Sequence, residues 1–403
     1  MLRSVNISSV GLVLTMFGAT SSISIFGIGS ALLVLGYLCQ GQRITKIKNF
    51  YAVSLSWAIT ALILVAMLGA LYSDAPAATL HRQIRVFLGL SISFFVFAAA
   101  DSASAIRAAC LGLLAGSLFT LGSSYLNIYM HLPWSITQAV GFGPDHTVFY
   151  NHVIQSIVMS FMASVALAFA LDRTNRQIIE RATWLTLFTA YVFCIFFLSP
   201  GRTGFVALIC GAGVVVVRQV GIRHSAILSF AVACIFLASI AADSPVWNRF
   251  LQGVDDLRNF TTIQESTTSW GARLGMYLLS LKSIAQAPIL GHGLGDYQTL
   301  AMAFYDSAAL RAVSGYHPHN QYLYLGVELG LVGLLAYIWV HREVWRTAIH
   351  LDSLWGNFVV SYLITLIVAS MFDAPFWMAG ERNFFFPILG LIVALRFSSK
   401  PTV

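Results

Sequence analysis

Long runs of apolar residues follow one another along almost the whole chain, separated by short polar breaks. A run of about 20 apolar residues can cross the hydrocarbon core of a bilayer as a helix, because a helix satisfies its own backbone hydrogen bonds there. We therefore predict an all-α polytopic membrane protein with about twelve transmembrane helices and with both termini on one side. The predicted spans cover residues 7–20, 22–40, 50–72, 86–100, 104–130, 153–171, 184–199, 203–218, 225–242, 321–340, 354–373 and 384–397.

One polar interruption, residues 243–320, is much longer than the others. Connections of this length are usually functional or have structure of their own. Two segments within it, 247–260 and 270–286, have helical apolar spacing, and the second predicts an amphipathic helix on the bilayer surface or over a cavity. Its apolar stripe consists of Leu274, Tyr277, Leu278, Leu281 and Ile284. The expected organisation is thus helices one to nine in residues 1–242, the loop, and helices ten to twelve in residues 321–403.

Composition supports a membrane protein and gives its orientation. The 403 residues are 58% hydrophobic and only 10% charged, whereas soluble domains carry about a quarter charged residues. With the N-terminus in the cytoplasm, 14 of the 23 basic residues fall on the inner side, and five of the other nine lie in the long loop. Basic residues favour cytoplasmic loops, so the termini are expected inside and the long loop outside. The excess of basic over acidic residues is then explained by the topology and by anionic lipids of the inner leaflet. No nucleic-acid partner is expected.

The predicted spans contain few charged residues, which bears on the kind of function. Transporters that couple to ions usually place ionisable groups near the bilayer midplane. Here only Glu328 lies well inside a span, while the other candidates gather at the outer ends of helices. Chemistry at the headgroup level on the outer side of the membrane is therefore a better hypothesis than passage through its centre.

Four outer arginines are candidates for binding an anion. Arg202 starts a predicted helix, where its charge opposes the helix dipole unless an anion is nearby; a headgroup contact is the alternative. Arg273 starts the second loop helix, and its guanidinium could bind phosphate oxygens in bidentate fashion or form a surface salt bridge. Arg82 and Arg85 lie in the predicted outer loop before residue 86, on the right side of the membrane but in a more ordinary setting.

The segment from His317 to Asn320 carries the other candidate side chains. Two histidines at this spacing can ligate a metal, but the sequence shows no third ligand close by, so neither a metal nor a cofactor is expected. His319 is predicted to accept a proton near neutral pH. Asn320, together with His317, is predicted to orient His319 or to bind a sugar, and a polar cap on the next helix is the alternative. Glycines further along are interpreted as structural: Gly330 and Gly333 would permit close helix approach, and Gly291-His-Gly-Leu-Gly295 would form a turn.

The pattern resembles the O-antigen ligase and polymerase superfamily. The shared features are His319-Asn320 followed after nine residues by Gly330-x-x-Gly333, the upstream Arg273 and Ser199-Pro-Gly-Arg202, and the turn beginning at Pro288. The resemblance covers about residues 199–340. It implies a GT-C-like membrane glycosyltransferase that moves a glycan from undecaprenyl diphosphate to the core oligosaccharide of lipid A on the periplasmic face of the inner membrane.

The resemblance also implies roles for individual residues, and these roles fit the chemistry of glycan transfer from a diphosphate. Arg202 and Arg273, with Arg82 and Arg85 as further candidates, would bind the donor diphosphate, and His319 would accept the acceptor proton or bind phosphate as an imidazolium. Three alternatives remain open: a polymerase that uses a second lipid-linked glycan as acceptor, a protein O-oligosaccharyltransferase that uses a serine hydroxyl, and, from another class, a transporter of lipid-linked glycans. A transporter would need a cationic passage through the membrane, which the predicted spans do not offer.

Overall fold

Helices make up most of the structure, which is a computed structural model that describes residues 7–138, 140–143, 145–172, 177–199, 201–222, 234, 237, 245–258 and 269–399. No strand occurs in these ranges. The helices are α1 (Ile7–Ala19), α2 (Ile23–Leu38), α3 (Arg43–Tyr51), α4 (Ser54–Gly69), α5 (Ala77–Leu88), α6 (Ile92–Ala99), α7 (Ala103–Leu126), α8 (His152–Leu171), α9 (Ile178–Phe193), α10 (Arg202–Val220), α11 (Pro245–Arg258), α12 (Ser269–Gln286), α13 (Asp296–Phe304), α14 (Ala308–Ser314), α15 (Gln321–His350), α16 (Ser353–Phe372) and α17 (Ala379–Ser398).

Several of these helices are long and apolar enough to cross a membrane, which confirms a polytopic all-α protein. Within the described ranges there are seven, and an eighth if α2 and α3, which meet at a bend of 113°, form one span. Helices α1 and α4 are apolar but shorter. The predicted span 225–242 lies outside the described residues apart from isolated positions. The total of twelve spans and the periplasmic side of the loop therefore stay predictions.

The expected loop before residue 86 is helical. Helix α5 continues through a 3-10 turn, Gly89–Ser91, into α6, so that Ala77–Ala99 forms one candidate span. Arg82 and Arg85 thus lie on a helix, and the prediction of a loop was wrong. The two arginines interrupt the hydropathy signal, but the helix continues past them because the buried side chains of Val86 and Phe87 keep it packed against the bundle.

Helix α8 lies in the centre of the bundle and is buried over nearly its whole length. It packs closely against α10 through small residues, because Ser156 lies where a side chain on Gly201 or Gly204 would be. Ser160 strengthens the pair by donating its hydroxyl to the Gly204 carbonyl at 2.6 Å. Small residues permit this approach of two membrane helices. Gly201 is therefore needed for packing, with an ordinary φ of −92°, and this packing fixes the start of α10 at Arg202.

Helix α15 is interrupted at Gly330, whose backbone is non-helical with φ 60° and ψ −155°. The segment 288–293 fills the break with its own backbone: Leu331 donates to the Pro288 carbonyl at 2.9 Å and Gly293 donates to the Glu328 carbonyl at 3.0 Å. Gly330 thus permits approach of a turn, so the prediction that it serves helix-helix approach was wrong. The predicted turn from Gly291 to Gly295 is confirmed, since all three of its glycines have positive φ.

Both predicted loop helices exist, as α11 and α12, but the face of α12 that packs inward differs from the predicted stripe. Met276 and Ser280 are buried, whereas Leu274 and Leu281 are exposed at 39% and 58%. The Ser280 hydroxyl can be buried because it donates to the Met276 carbonyl within the helix at 2.7 Å. The small side chain allows close packing, and the exposed leucines are left on the outer surface of the protein.

Candidate functional site

Three consecutive residues at the start of α15 contact the end of α16 and the segment that follows it. His319 Nδ1 lies 3.1 Å from Asp373 Oδ1, Asn320 donates its amide to the Met371 carbonyl at 3.1 Å, and Gln321 accepts the backbone N–H of Phe376 at 3.0 Å. Asn320 also caps α15 by accepting the Leu323 N–H at 3.0 Å. Asp373 thus holds the His319 ring, and the bonds of Asn320 and Gln321 hold the chain that follows it against the end of α16.

The backbone of His319 is in an uncommon conformation. Its φ of 46° is the one positive value among non-glycine residues in the described ranges. Histidine tolerates this region better than most side chains, but a residue held there depends on its surroundings to stay in place, and such positions cluster at functional sites. The conformation turns the imidazole towards Asp373, while the next residue begins the cap of α15.

Asp373 is a buried carboxylate paired with a more accessible imidazole. Its side chain is 5% exposed, whereas that of His319 is 31% exposed. Burial alone would raise the pKa of Asp373, but the hydrogen bond and charge of His319 outweigh burial and lower it, so the carboxylate stays ionised. Since a carboxylate only accepts, Nδ1 of His319 carries the proton and Nε2 is the basic nitrogen. The imidazole is thus oriented to take a proton from the exposed side.

His317 lies behind this pair and is buried. Its Nδ1 accepts the backbone N–H of His319 at 3.3 Å, and the two imidazole centroids are 4.3 Å apart. Burial, with the nearby charges of His319 and Arg273, lowers the pKa of His317 to about 3. His317 is therefore neutral, and its 4.0 Å separation from Asp373 is not an ion pair. The geometry fits support of the His319 backbone better than contact with a sugar.

Two arginines meet at Trp377, which follows Asp373 in the same segment. The Arg82 guanidinium lies 3.9 Å from the Trp377 ring centroid and donates to Gln298 Oε1 at 3.1 Å. Arg382 donates to the Trp377 carbonyl at 2.7 Å and lies within electrostatic range of Arg82. The Trp377 ring is also 5.7 Å from that of His317. This cationic pair therefore adjoins the histidines.

Helix α12 brings further positive charge to the same place. Arg273 is close enough to His317 to disfavour its protonation, and Tyr277, one turn later, reaches the Met371 carbonyl at 3.5 Å. Arg202 lies 6.0 Å from the ring of Trp270. Arg202 therefore lies near the first turn of α12, the helix that carries Arg273 three residues after Trp270.

The other outer arginines have local contacts. Arg85 is exposed on α5 and donates to the His81 carbonyl at 3.4 Å. Arg311 is exposed on α14 and donates to the Tyr305 carbonyl at 2.8 Å. The structure thus brings Arg82, Arg273 and Arg382 towards the histidines but does not place Arg85 or Arg311 there.

His317, His319 and Asp373 also form a candidate metal cluster, with one ligand atom of each within 4.8 Å of the others. The sequence predicts no third ligand near the two histidines, and this was wrong because Asp373 arrives from 54 positions away. Nδ1 of His317 and Oδ1 of Asp373 already accept hydrogen bonds, from His319 N–H and from Ala374 N–H at 2.8 Å. These contacts favour a cluster that holds a proton over one that binds a metal ion. That the reaction needs no metal stays a prediction.

Asp373, Trp377 and Arg382 are the residues that the sequence reasoning missed or left unassigned. One signal was available for Asp373, because it is an acid at the outer end of a predicted span, followed at once by Ala-Pro-Phe-Trp. Its partner could not be identified, since pairing with His319 depends on how α15 and α16 lie together.

Residues 187–338 match the family described as O-antigen ligase. The matched region contains Arg202, Arg273 and His319, and it ends before Asp373. The match confirms the resemblance to the O-antigen ligase superfamily, over nearly the range from which it was predicted. No curated protein matches the chain.

Proposed function

We propose that this chain, with its O-antigen ligase region, transfers a glycan from undecaprenyl diphosphate to the core oligosaccharide of lipid A in lipopolysaccharide biosynthesis. The reaction takes place on the periplasmic face of the inner membrane and needs no metal or cofactor. The observation that carries the proposal is the His319–Asp373 pair, at 3.1 Å, beside Arg82 and Arg273. It combines a proton acceptor with positive charge at the ends of membrane helices.

The reaction replaces one bond to the anomeric carbon by another. The oxygen of an acceptor hydroxyl attacks that carbon, its proton passes to Nε2 of His319, and the bond to the diphosphate oxygen breaks. Undecaprenyl diphosphate leaves with the electron pair. Asp373 holds the imidazole in the required tautomer and stabilises the imidazolium that forms. An in-line displacement of this kind inverts the anomeric configuration.

The arginines stabilise charge on the leaving diphosphate. Preorganised donors at the position where charge develops are usually a large term in catalysis. Arg273 and Arg202 approach from the side of α12, and Arg82 approaches from α5. Trp377 and Gln298 hold the Arg82 guanidinium, so little conformational freedom is lost when it binds phosphate oxygens.

A membrane groove beside Arg382 supports a lipid-linked donor. It has a volume of about 250 Å³ and lies between α2, α6 and α17. Its lining is largely apolar and includes Phe26, Val34, Phe95 and Phe386, with Arg382 at one end. The first isoprene units of the donor would occupy the groove while its diphosphate meets Arg382 and Arg82.

The test is glycan transfer by the purified protein in detergent from a labelled undecaprenyl-diphosphate donor. Three acceptors are offered separately: lipid A-core, a second undecaprenyl-linked glycan and a serine peptide. A labelled lipid A-core product with inverted anomeric configuration is the expected result. A lengthened undecaprenyl-linked glycan would identify a polymerase, and a labelled serine peptide would identify a protein O-oligosaccharyltransferase. If the protein transfers glycan to none of the three acceptors, the proposal that it is a glycosyltransferase is contradicted, and the transporter hypothesis is open again.

A further inference from the structure

An apolar groove lies far from the candidate site. It has a volume of about 410 Å³ and lies between α7, α8, α9 and α16. Its walls are apolar, and Arg107 is the one charged residue among them. From Arg107 it extends along α7 to Leu114, about two helical turns or roughly 10 Å. This is the shape of a slot for part of an apolar chain.

Helix α16 shows that the groove and the candidate site are at opposite ends of the bundle. Trp355, in the first turn of α16, lines the groove, whereas Asp373 follows the last residue of the same helix. At about 1.5 Å per residue the two positions are roughly 27 Å apart along the helix, close to the thickness of the hydrocarbon core. With the candidate site on the outer face, the groove lies at the cytoplasmic face.

The residues at the mouth of the groove indicate the headgroup of its occupant. Arg107 is exposed in the second turn of α7, and it has no hydrogen bond or ion pair with other residues that the structure describes. Trp184 and Trp355 are half-buried beside it, as is usual for tryptophans at the depth of lipid headgroups. An exposed cation above an apolar slot matches an anionic headgroup above an acyl chain.

The start of α16 does not provide an alternative anion site. Asp352 caps this helix by accepting the Trp355 backbone N–H at 2.9 Å, so the first-turn amide is already satisfied and the cap carries negative charge. Selectivity for an anion therefore depends on Arg107.

We propose that this groove binds one anionic phospholipid of the cytoplasmic leaflet, with an acyl chain between α7 and α16 and its phosphate on Arg107. The occupant is a bilayer phospholipid, because a single arginine suits a monophosphate diester and the groove lies away from the site for the lipid-diphosphate donor. The assignment to the cytoplasmic leaflet rests on the outer-face placement of the candidate site in the proposed function, whereas lipid binding itself can be tested without the proposed reaction.

The test measures lipid binding to the purified full-length protein in detergent by native mass spectrometry, with phosphatidylglycerol and phosphatidylcholine as probes. Arg107→Gln removes the charge at the mouth, and Leu114→Trp fills the slot. Lys48→Gln is the matched control, since Lys48 is an exposed cation on α3, expected on the same face, and does not line the groove.

Phosphatidylglycerol should bind the wild type and the Lys48 variant at least about 10-fold more tightly than it binds Arg107→Gln or Leu114→Trp. Phosphatidylcholine should bind the wild type as weakly as phosphatidylglycerol binds Arg107→Gln. Equal affinity of wild type and Arg107→Gln for phosphatidylglycerol would overturn the proposal. Displacement of bound phosphatidylglycerol by an equal concentration of undecaprenyl phosphate would also overturn it, because the groove would then be a polyprenyl site.

Discussion

Replacing Asp373 by Asn tests whether the charge of the buried carboxylate assists the proton acceptor. Asparagine has the same shape, and its Oδ1 can take the place of the one carboxylate oxygen that accepts both the Ala374 N–H at 2.8 Å and the His319 Nδ1–H at 3.1 Å. The amide is neutral, however, so it no longer stabilises the imidazolium that forms when Nε2 takes up the acceptor proton.

The expected loss follows from replacing a charged acceptor by a neutral one. A hydrogen bond to a charged group contributes about 1.5–3 kcal/mol and a neutral one about 0.5–1.5 kcal/mol, so the difference of about 1–1.5 kcal/mol corresponds to roughly 5- to 13-fold in rate. The pair is mostly shielded from water, with side-chain exposures of 5% and 31%, so little of this contribution is lost to solvent screening. We expect kcat of Asp373→Asn to fall about 10-fold or more, while KM for the donor changes little.

The assay is steady-state transfer of labelled glycan by purified protein, with Asp352→Asn as the control. Asp352 caps the other end of α16 through the Trp355 N–H, so its substitution perturbs the same helix without reaching His319. A kcat within about threefold of wild type for Asp373→Asn, a change of under about 0.7 kcal/mol, would refute this role of the carboxylate charge. Equal losses in the two variants would show that the effect comes from α16 itself.

Three further predictions concern charge, backbone and ionisation. Arg273→Ala should lower kcat about 100-fold or more if Arg273 faces the diphosphate, whereas Arg85→Ala should stay near wild type; similar rates for the two variants would remove Arg273 from the site. Gly330→Ala should lower the thermal melting temperature, because its Cβ would lie 2.4 Å from the Ile289 carbonyl oxygen at a φ of 60°, and an unchanged melting curve would contradict this. With a pKa lowered to about 3 by burial, His317 stays neutral above that pH, so His317→Gln should leave the shape of the pH profile of kcat unchanged, and EDTA should leave kcat unchanged; a changed profile or loss of activity in EDTA would indicate a different role for the cluster.

How much of the fold could be predicted depends on the range over which each signal acts. Hydropathy acts locally and correctly indicated a polytopic helical protein, but it placed Arg82 in a loop, because two arginines lower the average even where the helix continues. It also could not identify the buried face of α12, where Ser280 packs inward in place of Leu281. Burial of a small polar residue depends on the neighbouring helix, and the sequence does not show which helix that is.

The residues of the candidate site also differ in whether a signal in the nearby sequence could identify them. His319 and Arg273 were identified because they lie within short patterns whose spacing is visible along the chain. Asp373 could not be assigned, since its contact with His319 joins the end of α16 to the start of α15. Gly330 was read as a packing position, and only the turn inserted beside it shows that its backbone conformation is what requires glycine.

The most direct test of the central claim compares glycan transfer by wild-type protein and by His319→Asn, with one preparation of undecaprenyl-diphosphate donor and lipid A-core as acceptor. Asparagine tolerates the positive φ of this position and can still hydrogen-bond to Asp373, but it cannot take up a proton. The account predicts product from the wild type and almost none from a folded His319→Asn protein. Transfer at a comparable rate by both proteins would contradict it.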